Sequence, residues 1–98
     1  MARMIVRFRL PDQPERILEA VGRDAWALLS LHRAGASGCT PIDTPGPRWS
    51  HYVFKLRKLG LLIETITEAH RGEFAGTHAR YVLRSRIAII NDTTQVAA

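Results

Sequence analysis

The run Val53-Phe-Lys-Leu-Arg-Lys-Leu-Gly-Leu-Leu-Ile-Glu64 constrains this chain more than any other stretch. A helical pattern reaches Leu59, stops at Gly60 and passes without a linker into a β-branched run that reads as a strand over 61–68. Pro47 opens the helix and Gly60 closes it, so the spacing predicts a helix over 47–60. At ~100° per residue, Trp49, Tyr52, Val53, Leu56 and Leu59 share about 120° of arc and face inward. Ser50, His51, Phe54, Lys55, Arg57 and Lys58 occupy the opposite face. After the strand, a loop over 69–78 contains Arg71, Gly72 and Gly76. The segment 79–85 then alternates Tyr81 and Leu83 against Arg80, Val82 and Arg84, as the return strand of a hairpin in which Ile63 and Thr65 point inward.

Upstream of this unit, residues 3–10 alternate Met4, Val6, Phe8 and Leu10 against Arg3, Ile5, Arg7 and Arg9, a half-buried strand ended by Pro11. From Asp12 the apolar residues Ile17, Leu18, Val21, Ala25, Trp26, Leu28 and Leu29 recur at three- and four-residue intervals. Asp12 suits a cap and Pro14 a first turn, so this segment reads as helix, either continuous to residue 34 or divided at Gly22 with the main helix over 23–34. The stretch 38–47 carries Pro41, Pro45 and Pro47, and its Thr40-Pro41 pair resembles a cap followed by a first helical position. About one helical turn fits there. Residues 86–91 extend the hairpin or form another short strand, and 92–98, lacking an apolar pattern, are expected to fray.

The order helix, short capped turn, helix ending in Leu-Gly-Leu, strand, glycine-containing loop, strand resembles the winged helix-turn-helix families of bacterial and phage regulators. Within them it is most similar to a variant subgroup of short prophage-type proteins, on Gly38-Cys-Thr-Pro, Arg57-Lys-Leu-Gly-Leu and Ile63-Glu-Thr. The resemblance covers about residues 23–85. It implies an α+β fold with a three-helix core, a shortened second helix, a C-terminal β-hairpin wing and an added N-terminal strand. At 98 residues the chain is read as a single domain. The resemblance further implies a transcriptional regulator that binds double-stranded DNA, with helix 47–60 in the major groove and the wing 69–78 beside it.

Charge placement supports that reading. The net charge is +5, and from Thr44 to Ile63 there are four cations and no carboxylate, whereas Asp12 to Asp24 is balanced. Ser50, His51, Phe54 and Lys55 are the candidate base contacts, because the first turns of a recognition helix reach base edges. Phe54, central on the polar face, suits a thymine methyl, a base stack, the underside of the wing or a dimer contact. Arg48, Arg57, Lys58 and the wing residues Arg71 and Arg80 are the candidate phosphate contacts. His32 is read as a helix C-terminal dipole partner or part-buried core residue, and Cys39 as a small buried hydrophobe.

Other classes find little support in the sequence. One cysteine and four histidines without HxxxH spacing argue against a structural metal, and no nucleophile–base ordering or phosphate-binding loop points to an enzyme or a cofactor. No run approaches the ~18 apolar residues of a membrane span, and the charged N-terminus lacks a signal-peptide core, so a cytoplasmic protein is expected. Single-strand platforms need interleaved surface aromatics, and only Phe54 is of that kind. The alternative function is a winged-helix module for protein interaction or assembly, since fold does not fix function. The N-terminal strand motivates it: an apolar edge needs a partner, either residues 87–90 of its own chain or a second copy in a homodimer.

Overall fold

The computed structural model describes residues 2–46, 48–70 and 76–96. Strand β1 (Ala2–Leu10) is followed by β2 (Gln13–Val21) and helix α1 (Arg23–Ala34), which tightens into a 3-10 turn over Gly35–Ser37. Helix α2 (Trp49–Lys58) leads into the hairpin strands β3 (Ile63–His70) and β4 (Gly76–Leu83), and β5 (Ala88–Val96) ends the fold.

β1 forms as its alternation dictates, with Val6, Phe8 and Leu10 buried. The segment after it does not form a helix. Pro11 and Asp12 make a two-residue connection between the paired Leu10 and Gln13, and β2 folds back antiparallel on β1. Leu18 and Ala20 are buried while Ile17 stays 53% exposed, the two-residue period of a strand. Pairing with β1 therefore overrides the three- and four-residue spacing that Ile17, Leu18 and Val21 share with the true helix beyond Gly22. Pro14 is tolerated because β2 is an edge strand, which needs no donor on its outer side.

The first sheet has the order β2-β1-β5, so β1 is its central strand. β5 pairs with it from Ala2 opposite Val96 to Arg9 opposite Ala88. Two expectations change here. The segment expected to fray is strand as far as Val96, because the backbone ladder with β1 supplies what its side-chain pattern does not. The homodimer through the N-terminal strand loses its basis, since both edges of β1 are filled within the chain.

The three-helix core also changes. Between α1 and α2 the chain closes one turn, in which Thr44 N–H donates to the Thr40 carbonyl at 2.9 Å and Asp43 N–H to Thr40 Oγ1 at 2.9 Å. Thr40 caps as its position before Pro41 suggests, but Pro45, which lacks an N–H to continue the ladder, prevents propagation. Among the described residues the α-helices are two. Their core joins Val6 and Phe8 of β1, Leu28 and Leu31 of α1, and Val53 and Leu56 of α2.

α2 ends in a Schellman motif: Leu61 N–H reaches the Leu56 carbonyl and Gly60 N–H the Arg57 carbonyl, with Gly60 at φ 98°. Leu56 and Leu61 are both buried, which sets the angle at which β3 leaves. Gly38 serves the other side of the hairpin. Its φ is 67°, and a Cβ there would lie 2.5 Å from the Tyr81 carbonyl oxygen and 2.8 Å from Val82 Cγ2. That close approach lets Cys39 and Tyr81 exchange backbone hydrogen bonds of 2.9 and 2.8 Å, an isolated antiparallel bridge beside the two-stranded hairpin. Val82 is consequently buried along with Tyr81, rather than facing solvent as the alternation suggests.

Candidate nucleic-acid interface

Four aromatic rings fix the attitude of α2. Trp49 stacks on Tyr81 at 6.0 Å and lies 5.3 Å from Trp26, and Tyr52 meets both tryptophans edge-on. Trp49 Nε1 also donates to the Thr44 carbonyl at 2.6 Å, tying the helix start to the single turn. Trp49, Tyr52, Val53 and Leu56 are buried and Leu59 is half-buried, as their shared arc requires. The face turned outward carries Ser50, Phe54 and Lys58 in one i, i+4 stripe with His51 and Lys55 beside it. Ser50, Phe54, Lys55 and Lys58 are exposed and His51 is half-buried.

The expected base contacts thus lie together on one surface, with Lys55 partly engaged by a salt bridge of 3.6 Å to Asp24 of α1. Lys58 Nζ sits 4.6 Å from the centre of the Phe54 ring, a cation–π contact on the exposed surface. Arg48, whose carbonyl accepts the first helical bonds of α2, is exposed at the start of the helix.

The other expected phosphate contacts are placed differently. Arg57 turns toward the hairpin, donating through Nη2 to the Ile63 carbonyl at 2.6 Å and to Thr65 Oγ1 at 2.9 Å. Thr65 is accordingly exposed on the hairpin's outer face and not inward. Arg80 is more heavily engaged. Its Nε donates to Glu68 Oε2 at 2.5 Å and its Nη2 to Glu68 Oε1 at 3.0 Å, while Nη1 reaches the Ser37 carbonyl at 2.8 Å. Asp43 adds a looser ion pair at 3.7 Å. The Arg80 hydrogen bonds, followed by one from His78, hold the Glu68 carboxyl below its usual range, and Glu68 raises Arg80 in turn. Arg80 therefore fastens β4 to the 3-10 turn and to the single turn after it. Arg71 lies outside the described residues.

The partners of these cations carry the information that reading the chain for exposed charge misses. β3 and β4 run antiparallel with Glu68 opposite His78 and Glu64 opposite Val82. Arg80 and Arg84 are then the diagonal neighbours of Glu68 and Glu64, and Arg84 bonds Glu64 at 2.6 Å. Two glutamates four apart facing two arginines four apart are a legible hairpin signal. Asp24, by contrast, meets Lys55 only through the packing of α1 on α2.

His32 is exposed in the last turn of α1, and Cys39 is buried, where desolvation pushes its thiol above the usual range. Among the described residues no helix is long and apolar enough to cross a membrane, and no cluster of His, Cys, Asp and Glu has the arrangement of a metal site.

Comparison with curated proteins and with solved structures gives no match. A family model described as a winged helix domain matches residues 17–93, which takes in α1, α2, the hairpin and the adjoining parts of β2 and β5. On that match, and on a helix delivered by a Schellman turn into a hairpin wing, the chain belongs to the winged helix domain family.

Proposed function

We propose that the protein binds double-stranded DNA by laying α2 in the major groove, and that it acts as a regulator of phage or chromosomal genes. The observation that carries this reading is the outward face of α2, where Arg48, Ser50, Phe54, Lys55 and Lys58 are exposed and no carboxylate occurs from Thr44 to Ile63. A helix about 10–12 Å across matches a major groove about 12 Å wide. Arg57 and Arg80 act at one remove: they set the angle between helix and wing and leave phosphate contact to Arg48, Lys55 and Lys58. Three neutralised phosphates correspond to a slope of log K against log[salt] near −2.7. The test is selection of duplexes from a random pool at two salt concentrations, followed by titration of the winner across salt. An enriched motif with a slope of that size supports the reading; a flat salt dependence overturns it.

The second reading, a protein contact surface, has its own observation. Leu62 is 69% exposed on a backbone pinned by Ser85 Oγ at 2.7 Å and by Arg84 N–H at 2.8 Å. It borders a cleft of about 320 Å³ shared with Leu10, Leu59, Arg16 and Arg86. If duplexes fail to bind, this surface is where the protein would act.

A further inference from the structure

We infer that Phe54 reads the 5-methyl group of thymine, so that the bound duplex carries thymine at one or two adjacent base pairs facing the middle of α2. The inference rests on the DNA-binding reading and specifies what that surface recognises. Phe54 is 53% exposed, and the Lys58 ammonium stands 4.6 Å from its ring centre. What sets Phe54 apart from the other exposed apolar side chains is its place in the middle of the polar face of α2, where the DNA-binding reading puts the groove floor against it.

The size of that counterpart follows from the helix. A protein groove that captures a helix takes apolar anchors at i, i+3 or i+4, and i+7. Three and four residues to either side of Phe54 stand Ser50, His51, Arg57 and Lys58, all polar, and Leu61 at i+7 is buried in the core. Phe54 is therefore an isolated apolar spot in a polar and cationic surface, too small to seat a protein groove. The major groove offers the complementary pattern: the thymine methyl is the apolar group on its floor, set among donors and acceptors and walled by phosphates. Ser50 and Lys58 lie one turn to either side, roughly 6 Å along the axis at 1.5 Å per residue, and so reach about two base pairs away or the groove rims. RNA fails on both counts, since uracil carries no methyl and the A-form major groove is too narrow and deep for a helix.

The experiment is a two-by-two comparison by fluorescence anisotropy on the best duplex from the random-pool selection. Each thymine of the site is replaced in turn by deoxyuridine, which removes the methyl alone. For the native protein, one or two of these changes should raise Kd about fourfold, the factor corresponding to ~0.8 kcal/mol for one buried methyl-sized group. Phe54→Ala should bind the thymine duplex more weakly by at least that factor and be indifferent to deoxyuridine, while Phe54→Leu should keep the discrimination. Circular dichroism melting of the alanine variant confirms that the fold is intact. A site in which no deoxyuridine matters overturns the inference, as does an alanine variant that remains equally sensitive. The DNA-binding reading itself is lost if no duplex binds at low salt or if binding does not weaken as salt rises, outcomes read separately from the deoxyuridine comparison.

Discussion

Gly38→Ala tests the join between the wing and the body of the fold. At φ 67° and ψ −173° Gly38 occupies a backbone region that is almost glycine-only, and alanine there costs about 1–3 kcal/mol of strain. The added Cβ would stand 2.5 Å from the Tyr81 carbonyl oxygen, a distance the backbone must open. Opening it sacrifices the Cys39–Tyr81 pair, two hydrogen bonds of 2.9 and 2.8 Å, at ~1 kcal/mol each. The sum is about 4 kcal/mol, against a total stability of about 5–15 kcal/mol for a domain of this size. At 4–8 °C per kcal/mol the melting temperature should fall by roughly 20 °C. Gly35→Ala is the control, because Gly35 also has positive φ, 56°, but a Cβ there meets nothing within 4 Å. With ψ −132° it lies outside the left-handed helical region too, and alanine there should cost about 1–3 kcal/mol, the strain alone. Thermal and urea denaturation followed by far-ultraviolet circular dichroism measure both. If the two variants melt within ~5 °C of each other, an interval worth about 1 kcal/mol, the claim that close approach at Gly38 secures the wing is refuted.

Two further predictions separate the cations by role. Arg57→Ala should lower stability by about 1–2 kcal/mol, having lost its bonds to the Ile63 carbonyl and Thr65, while leaving the salt slope of DNA binding nearly unchanged. Arg48→Ala should do the reverse, with melting unchanged and the slope reduced by about one, as read from binding titrations at several salt concentrations. Glu68→Gln tests the Arg80 network by its pH dependence. Arg80 and then His78 depress the Glu68 carboxyl, so its contribution is present above the unfolded value of about 4.3 and is lost as pH falls through the lower folded value. The variant should melt below the native protein at pH 6, and the gap should close toward pH 3; a constant gap would mean the carboxylate charge is not what stabilises the wing.

The α2–wing unit was legible because local and long-range preferences agree there. Trp49, Tyr52, Val53 and Leu56 repeat at helical spacing, Gly60 stops the helix where a Schellman turn needs it, and the β-branched run after it has only one way to go. The segment 13–21 misleads because its local pattern disagrees with its partner. Ile17, Leu18 and Val21 fit a helix face, and only the two-residue Pro11-Asp12 connection, which places the strand against β1, settles the matter. That connection is a turn signal of the ordinary kind. β5 was legible in its first part, since 87–90 read as an own-chain partner for the N-terminal strand, but residues 92–96 have no apolar alternation in the sequence and pair with a strand some ninety residues earlier. On the candidate site, the residues of α2 could be assigned to its outer face from helical phase. Which of them are already bound to protein could not, because Asp24, the Ile63 carbonyl and the Thr65 hydroxyl arrive from other elements.

The division between arginine and lysine in this chain follows from the same geometry. A guanidinium offers five N–H groups in a planar fork, so one side chain can satisfy a carboxylate and a carbonyl together. Arg80 does this with Glu68 and Ser37, and Arg57 joins the Ile63 carbonyl to the Thr65 hydroxyl. Arg84 closes the base of the hairpin on Glu64. Together these three cations brace the wing, Arg57 against α2 and Arg80 against the 3-10 turn after α1. The only two lysines of the sequence, Lys55 and Lys58, both stand on the exposed face of α2. A lysine ammonium is a compact, hydrated charge on a flexible stem, poorly suited to joining fixed protein groups and well suited to following a phosphate as the helix settles in a groove. The formal charge of +5 already counts the arginine–glutamate pairs as neutral, so what DNA meets is decided by where the cations stand and not by their number. Much of the arginine charge is spent within the fold, and it is this internal use that presents the two lysines and Phe54 on a rigid helix.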